Sequence, residues 1–152
     1  MPRTDRGRGR ARGGSARPQP AKAPKAPAAC PCGTGELYVD CCGALHEGRM
    51  TASTAEQLMR SRYSAFAVND ATYLLRSWHS STRPARLDLD PGTRWTGLEI
   101  VGTTGGTAFN VDGTVEFIAH YSESGHAGSL RENSSFVRED GNWVYVSALR
   151  DR

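Results

Sequence analysis

All four cysteines of the chain fall within thirteen residues, in the run Cys30-Pro31-Cys32-Gly33-Thr34-Gly35-Glu36-Leu37-Tyr38-Val39-Asp40-Cys41-Cys42-Gly43. Two closely spaced pairs of soft ligands, with glycines where the backbone must turn back, suit a tetrahedral zinc site. The alternative is a pair of disulfides. Adjacent residues have Cα atoms ~3.8 Å apart, below the ~4.4 Å at which an unstrained bridge begins, so Cys41 and Cys42 make a poor pair. Cross-pairing of 30/32 with 41/42 requires an oxidising compartment, and the chain shows no secretory h-region. The metal reading is therefore favoured, with Cys30, Cys32, Cys41 and Cys42 as ligands of Zn²⁺. Four thiolates close the coordination shell and leave no position for water, so the expected zinc is structural. His46 can in principle replace one thiolate, but with four cysteines closing the shell it is expected to support the ligands from outside or to be simply a loop histidine. Backbone N–H groups near Gly33, Gly35 and Gly43 are expected to face the sulfurs and offset their charge. Tyr38, between the two pairs, is expected either to stay exposed as a docking face or to fold back against Leu45 or Met50.

The charge is unevenly spread. The first 29 residues carry eight basic residues against Asp5 alone, leaving eleven basic and fifteen acidic residues for the remainder. With no aromatic and no branched aliphatic residue before Ala29, this arm cannot bury enough apolar surface to offset its ordering entropy. A disordered basic tail over residues 1–29 is expected, either a solvated linker or a weak contact for nucleic acid. No stretch reaches the length of a membrane span, and a cytoplasmic location is expected.

Beyond the cysteines, Ser53-Thr54-Ala55-Glu56 reads as a capping box. Ala55, Leu58, Met59, Arg62, Tyr63, Phe66 and Ala67 then recur at helical spacing, predicting a helix from about Thr54 to Val68. Asn69-Asp70 breaks it, Asn by tolerating a left-handed conformation and Asp by capping a second helix from Ala71 to Trp78. From Trp95 the period becomes two. Strands are predicted over Trp95–Val101, Thr107–Val111, Thr114–Tyr121, Leu130–Arg138 and Trp143–Ala148, separated by glycine-containing turns. In the third of these Val115, Phe117, Ala119 and Tyr121 share one face, and Thr114, Glu116, Ile118 and His120 the other. Gly102-Thr103-Thr104-Gly105-Gly106 lacks the Lys-Ser/Thr ending of a phosphate loop and reads as a turn. Helices followed by an antiparallel meander give an α+β fold, with a helical hairpin packed on one sheet face.

The cysteine pattern C-P-C-G-x-G-x-x-Y-x-x-C-C-G resembles the SEC-C motif, a zinc hook that serves as a partner-binding module in the protein-translocation ATPase. The stretch Thr54-Ala55-Glu56-Gln57-Leu58-Met59-Arg60-Ser61-Arg62-Tyr63-Ser64-Ala65-Phe66, with Trp78-His79 and Ser81-Thr82-Arg83-Pro84, resembles the YchJ-type family of uncharacterised bacterial proteins. The resemblance runs from about Cys30 to Leu149. It implies a SEC-C hook over residues 30–48 and a nuclear-transport-factor-2-like domain over residues 49–152, a curved sheet wrapped round helices to form a cone. It implies no established reaction.

Such a cone can enclose a pocket, for which Arg60, Arg62, Tyr63, His79, Arg83, Glu116, His120 and Glu132 are candidates. His79 with Arg83 can bind an anion, or His79 can cap the second helix, and the cap is the expectation. Glu116, His120 and Glu132 can act as general acid and base if they meet on the concave face, or form ordinary cross-strand pairs on the solvent face. Two functions follow. One is a non-enzymatic adaptor whose zinc hook docks on a protein or on the ribosome. The alternative is a small-molecule binder or enzyme using the cone.

Overall fold

The structure, a computed structural model, describes residues 28–149. The expected basic tail lies outside the described residues except for Ala28 and Ala29. These two already belong to the hook: the Ala28 carbonyl accepts the Tyr38 N–H at 2.9 Å, and Ala29 bridges Leu37.

After a 3-10 turn over Tyr38–Asp40 come three short helices, α1 (Cys42–His46), α2 (Ala55–Ala67) and α3 (Ala71–Arg76). Four strands follow, β1 (Thr93–Gly105), β2 (Asp112–Glu123), β3 (His126–Glu139) and β4 (Asn142–Ala148). They form one antiparallel meander in the order β1-β2-β3-β4. Register shifts between Trp95 and Gly97, between Ile100 and Gly102, and between Ser135 and Phe136 insert extra residues. Such bulges bend a strand and tighten its twist, so the sheet curves round the helices.

The caps follow from local chemistry. Thr54, one residue later than expected, caps α2 by accepting the Gln57 N–H at 3.0 Å, while the Gln57 side chain accepts the Ser53 N–H at 2.8 Å. Gln57 thus takes the expected place of Glu56, but its side chain reaches back to Ser53 and not to the cap itself, and Glu56 instead pairs with Arg60 at 3.0 Å. Asn69 takes a left-handed φ of 63°, and Asp70 caps α3 by accepting the Tyr73 N–H, both as expected. Helix α3 ends two residues early because Trp78 is drawn into a bridge with Tyr145, and the neighbouring His79 N–H donates to the Tyr145 carbonyl at 2.7 Å.

Four strands form where five were expected. Thr107 to Val111 alternates like a strand but is a turn, closed by the Asn110 side chain accepting from both the N–H and the hydroxyl of Thr107. Arg138 takes the Ala108 and Asn110 carbonyls at 3.0 and 2.9 Å, so no neighbouring strand is needed to satisfy them. Gly102 to Gly105, expected to be a turn, instead continues β1. Only at Gly105 and Gly106, with φ of 55° and 72°, does the chain reverse.

Val115, Phe117 and Ala119 of β2, Phe136 of β3 and Trp143 of β4 face Ala55, Leu58, Met59 and Tyr63 of α2, forming the main core. A second cluster joins Leu45 of α1 to Ala65, Tyr73 and Leu74. Burying a side chain such as Leu74 or Phe136 stabilises by roughly 1.5–3 kcal/mol, and both are fully buried. The hook thus shares a core with the helices. None of the described helices is long and apolar enough to cross a membrane.

Candidate functional site

The hook holds four free thiols whose sulfurs all lie within 4.8 Å of one another. Gly33 and Gly35, at φ of 87° and 91°, turn the chain between the two pairs. Gly43 lets α1 start against Tyr38, since a Cβ there would sit 2.6 Å from the Tyr38 carbonyl oxygen and 2.9 Å from its ring. Cys32 and Cys41 have their sulfurs 3.7 Å apart. Sulfurs about 2.3 Å from a tetrahedral metal lie about 3.8 Å apart, so this spacing fits a metal tetrahedron. It is far from the bonded sulfurs of a disulfide.

Protonation tells the same story. Hydrogen bonds from Cys32 and Cys42 pull Cys30 far below the ordinary thiol range, while hydrogen bonds to Cys30 and Cys32 push Cys42 far above it. Burial pushes Cys41 up to about 11. Four crowded sulfurs must share protons unless a cation lets all of them ionise together. The sulfur partners are hydroxyls, not the expected glycine amides. Thr34 Oγ1 lies 3.4 Å from Cys41 Sγ and Ser64 Oγ 3.5 Å from Cys30 Sγ, whereas the Gly33 N–H donates to the Cys30 carbonyl.

His46 stands outside this cluster because both of its ring nitrogens are engaged. Nε2 lies 2.8 Å from the Ser61 carbonyl, which can only accept, and Nδ1 lies 2.6 Å from the Tyr38 hydroxyl, which therefore donates. Tyr38 accordingly folds back, onto Gly43 and His46 and not onto Leu45 or Met50. Its neighbours Leu37 and Val39 stay 55 % and 49 % exposed. The hook rests on α2 through Arg60, whose Nη1 donates to the Cys32 carbonyl at 2.8 Å, and through Leu98 of β1 against the cysteines.

The eight expected pocket residues separate into four places. Arg60 belongs to the hook contact. Glu116 and His120 lie on the outer sheet face, paired with Arg131 at 2.9 Å and with Glu99 at 2.6 Å. Glu132 is on the inner face, so the acid-base set does not assemble. His79 and Arg83 lie beyond α3. His79 does not cap that helix: its imidazole meets Ser81 at 2.7 Å and approaches Glu139 at 3.7 Å. The last α3 carbonyls are taken by Ser77 and by Arg62, whose Nη1 donates to the Leu74 carbonyl at 2.8 Å and to Ser77 Oγ at 2.7 Å. Arg83 donates twice to the Trp78 carbonyl just beyond.

Arg62, Tyr63 and Glu132 do line one cavity, of about 240 Å³, between α2 and the inner sheet face. Arg62 is 4 % exposed, and burial pulls it down to about 10, so it stays charged at neutral pH. Its guanidinium carbon lies 4.5 Å from the ring centre of Tyr145 and 5.0 Å from that of Trp78. Phe66, Trp95 and Phe117 supply apolar wall, and Ser134 donates to Glu132 at 2.6 Å. Sequence reasoning missed these walls and the Ser134 contact. The inward alternation on β2 pointed to Phe117, but nothing local pointed to Trp95 or Tyr145.

The family model described as "YchJ, middle NTF2-like domain" matches residues 54–148. A UPF0225 protein of Streptomyces coelicolor is 61% identical over 117 residues, covering 77% of this chain and 91% of the relative. Another, from Streptomyces avermitilis, is 57% identical, covering 79% of this chain and 83% of the relative. Among solved structures, a SEC-C motif containing protein from Rhodopseudomonas palustris superposes with a TM-score of 0.71 at 31% identity, covering 82% of this chain and 99% of that one. A sec-c motif containing protein from Psychrobacter arcticus gives a TM-score of 0.66 at 28% identity, covering 82% and 84%. Cysteine hook, curved sheet and sequence agree: the chain belongs to the YchJ-type UPF0225 family of bacterial proteins, a SEC-C motif followed by an NTF2-like domain.

Proposed function

We propose that this chain is a zinc-dependent interaction protein and not an enzyme at its metal. Cys30, Cys32, Cys41 and Cys42 hold one structural Zn²⁺, and the hook it rigidifies presents Leu37 and Val39 to an apolar patch on another protein, free or ribosomal. One observation carries the reading: four sulfurs within 4.8 Å of one another flank a loop whose branched aliphatic side chains are about half exposed. Four thiolates leave no open coordination position, so such a metal organises the loop and activates nothing. The small module cannot bury these side chains itself, and exposed apolar anchors on a rigid frame suit docking.

The test is affinity capture from bacterial lysate with the native chain, the chelator-treated chain and a Leu37→Ser/Val39→Ser variant. The reading expects one equivalent of zinc in native protein and the same partner lost from both altered samples, with zinc retained in the double variant. A double variant that keeps the partner, or native protein free of metal, refutes it.

A further inference from the structure

The cavity contains more hydrogen-bonding capacity than the protein uses. Both N–H groups of Arg62 Nη1 are engaged by Leu74 and Ser77, but Nε and Nη2 meet no protein acceptor among the described residues. The indole N–H of Trp78, another lining residue, is sealed from solvent and has no partner among the described residues. A cation buried as deeply as Arg62 is costly to leave without acceptors. The free N–H groups of Arg62, in an otherwise apolar cavity, therefore mark where a ligand oxygen belongs.

The other end of the cavity has the opposite character. Glu132 Oε2 accepts from Ser134 at 2.6 Å and weakly from the Tyr145 hydroxyl at 3.5 Å, and Oε1 meets no donor among the described residues. Tyr145 links the two ends: Arg62 lies over its ring and Glu132 at its hydroxyl. Aromatic side chains, Phe66, Trp95 and Phe117 among them, wall the space between. Leu130, also in the lining, is 43 % exposed, so the cavity reaches the surface beside β3.

We propose that this cavity binds a small planar carboxylic acid of one aromatic ring, bearing a hydroxyl or amino donor at the end remote from its carboxylate. The carboxylate meets Arg62 beside the Trp78 ring, the aromatic ring of the acid lies among the aromatic walls, and the remote donor meets Glu132. An acid without that donor brings its ring to a carboxylate with nothing to offer it. A neutral alcohol leaves Arg62 without its counter-charge. This site is separate from the hook, so its success or failure leaves the docking reading untouched.

The test uses the full-length metal-loaded chain, labelled with nitrogen-15, titrated with 4-hydroxybenzoate, benzoate and 4-hydroxybenzyl alcohol. The readout is the indole N–H resonance of Trp78, assigned by its loss in Trp78→Phe. The proposal expects saturable movement with 4-hydroxybenzoate and affinities about tenfold weaker for each of the other two, the effect of one unmet charged hydrogen bond. Glu132→Gln, which keeps the acceptor for Ser134 and Tyr145, should shrink the preference for 4-hydroxybenzoate over benzoate. A resonance unmoved by all three compounds overturns the proposal. So does equal binding of all three, or a preference unchanged in Glu132→Gln.

Discussion

The hydroxyl of Tyr38 donates to Nδ1 of His46 across 2.6 Å, and the far side of the same imidazole donates to the Ser61 carbonyl of α2. The hydrogen-bonded chain from hook loop to helix runs through a buried ring, which makes the hook part of the fold's core. Tyr38→Phe keeps the ring and removes the donor, leaving Nδ1 buried without a partner. Such a group costs about 1–3 kcal/mol. Chemical denaturation should show a loss of that size with zinc content unchanged, and an unchanged midpoint would dismiss the linkage.

Metal removal should be felt beyond the hook. Cys30 contacts Ser64, the Cys32 carbonyl accepts from Arg60, and Leu98 of β1 packs against the cysteines. Loosening the hook therefore frees one side of α2. Chelator treatment or Cys32→Ser should lower the melting temperature of the whole chain by at least about 3 °C, the size expected for the loss of roughly 1 kcal/mol in a chain of this length. A body that melts as before would show the two parts to be independent.

Two glycines should resist the smallest substitution. A Cβ on Gly113 would lie 2.4 Å from the Gly106 nitrogen, and one on Gly43 would lie 2.6 Å from the Tyr38 carbonyl oxygen. Both obstacles are backbone, which cannot swing aside. Gly113→Ala and Gly43→Ala should each cost about 1–3 kcal/mol or more, whereas Gly102→Ala, with open space around it, should cost far less. Denaturant midpoints of the three variants measure this directly.

At the end of α3, the helix depends on Arg62 and Ser77, not on His79. His79→Ala should change stability by no more than about 0.5 kcal/mol. Arg62→Leu leaves the Leu74 carbonyl without its charged donor and should cost about 1–3 kcal/mol. Reversal of that order in thermal melts would restore His79 as the cap.

Alkaline solution should unfold the protein for a definite reason. Burial raises Tyr38 and Tyr63 from the ordinary phenol value of 10.0 to about 12. Above pH 10 the unfolded chain releases these protons while the folded chain retains them, so stability falls as pH rises through 12. Below pH 10 their contribution is fully present. Tyrosinate absorbance should therefore rise late and together with unfolding; early, separate titration of all the tyrosines would contradict the burial.

Much of this protein is written locally. The cysteine spacing brings four sulfurs together because glycines allow the turn between them, and Asn69-Asp70 ends one helix and starts the next with its own side chains. Alternation along β2 identified the set Val115, Phe117 and Ala119 as one face, since a strand's period follows from its backbone. Which face would be inner depends on what covers the sheet, and that is a tertiary fact. Glu116 and His120 therefore went outward while Glu132, on the next strand, went in. Thr107 to Val111 alternates as a strand should, yet Arg138 from a distant strand claims its carbonyls. Arg62 falls on the same helical stripe as Leu58 and Phe66, which marks it as a pocket candidate, and only packing against Trp78 and Tyr145 makes it the charged floor of a cavity. Local residues determine how the backbone can turn and which atoms it offers; the partners of those atoms come from distant segments, and only the folded chain brings them within reach.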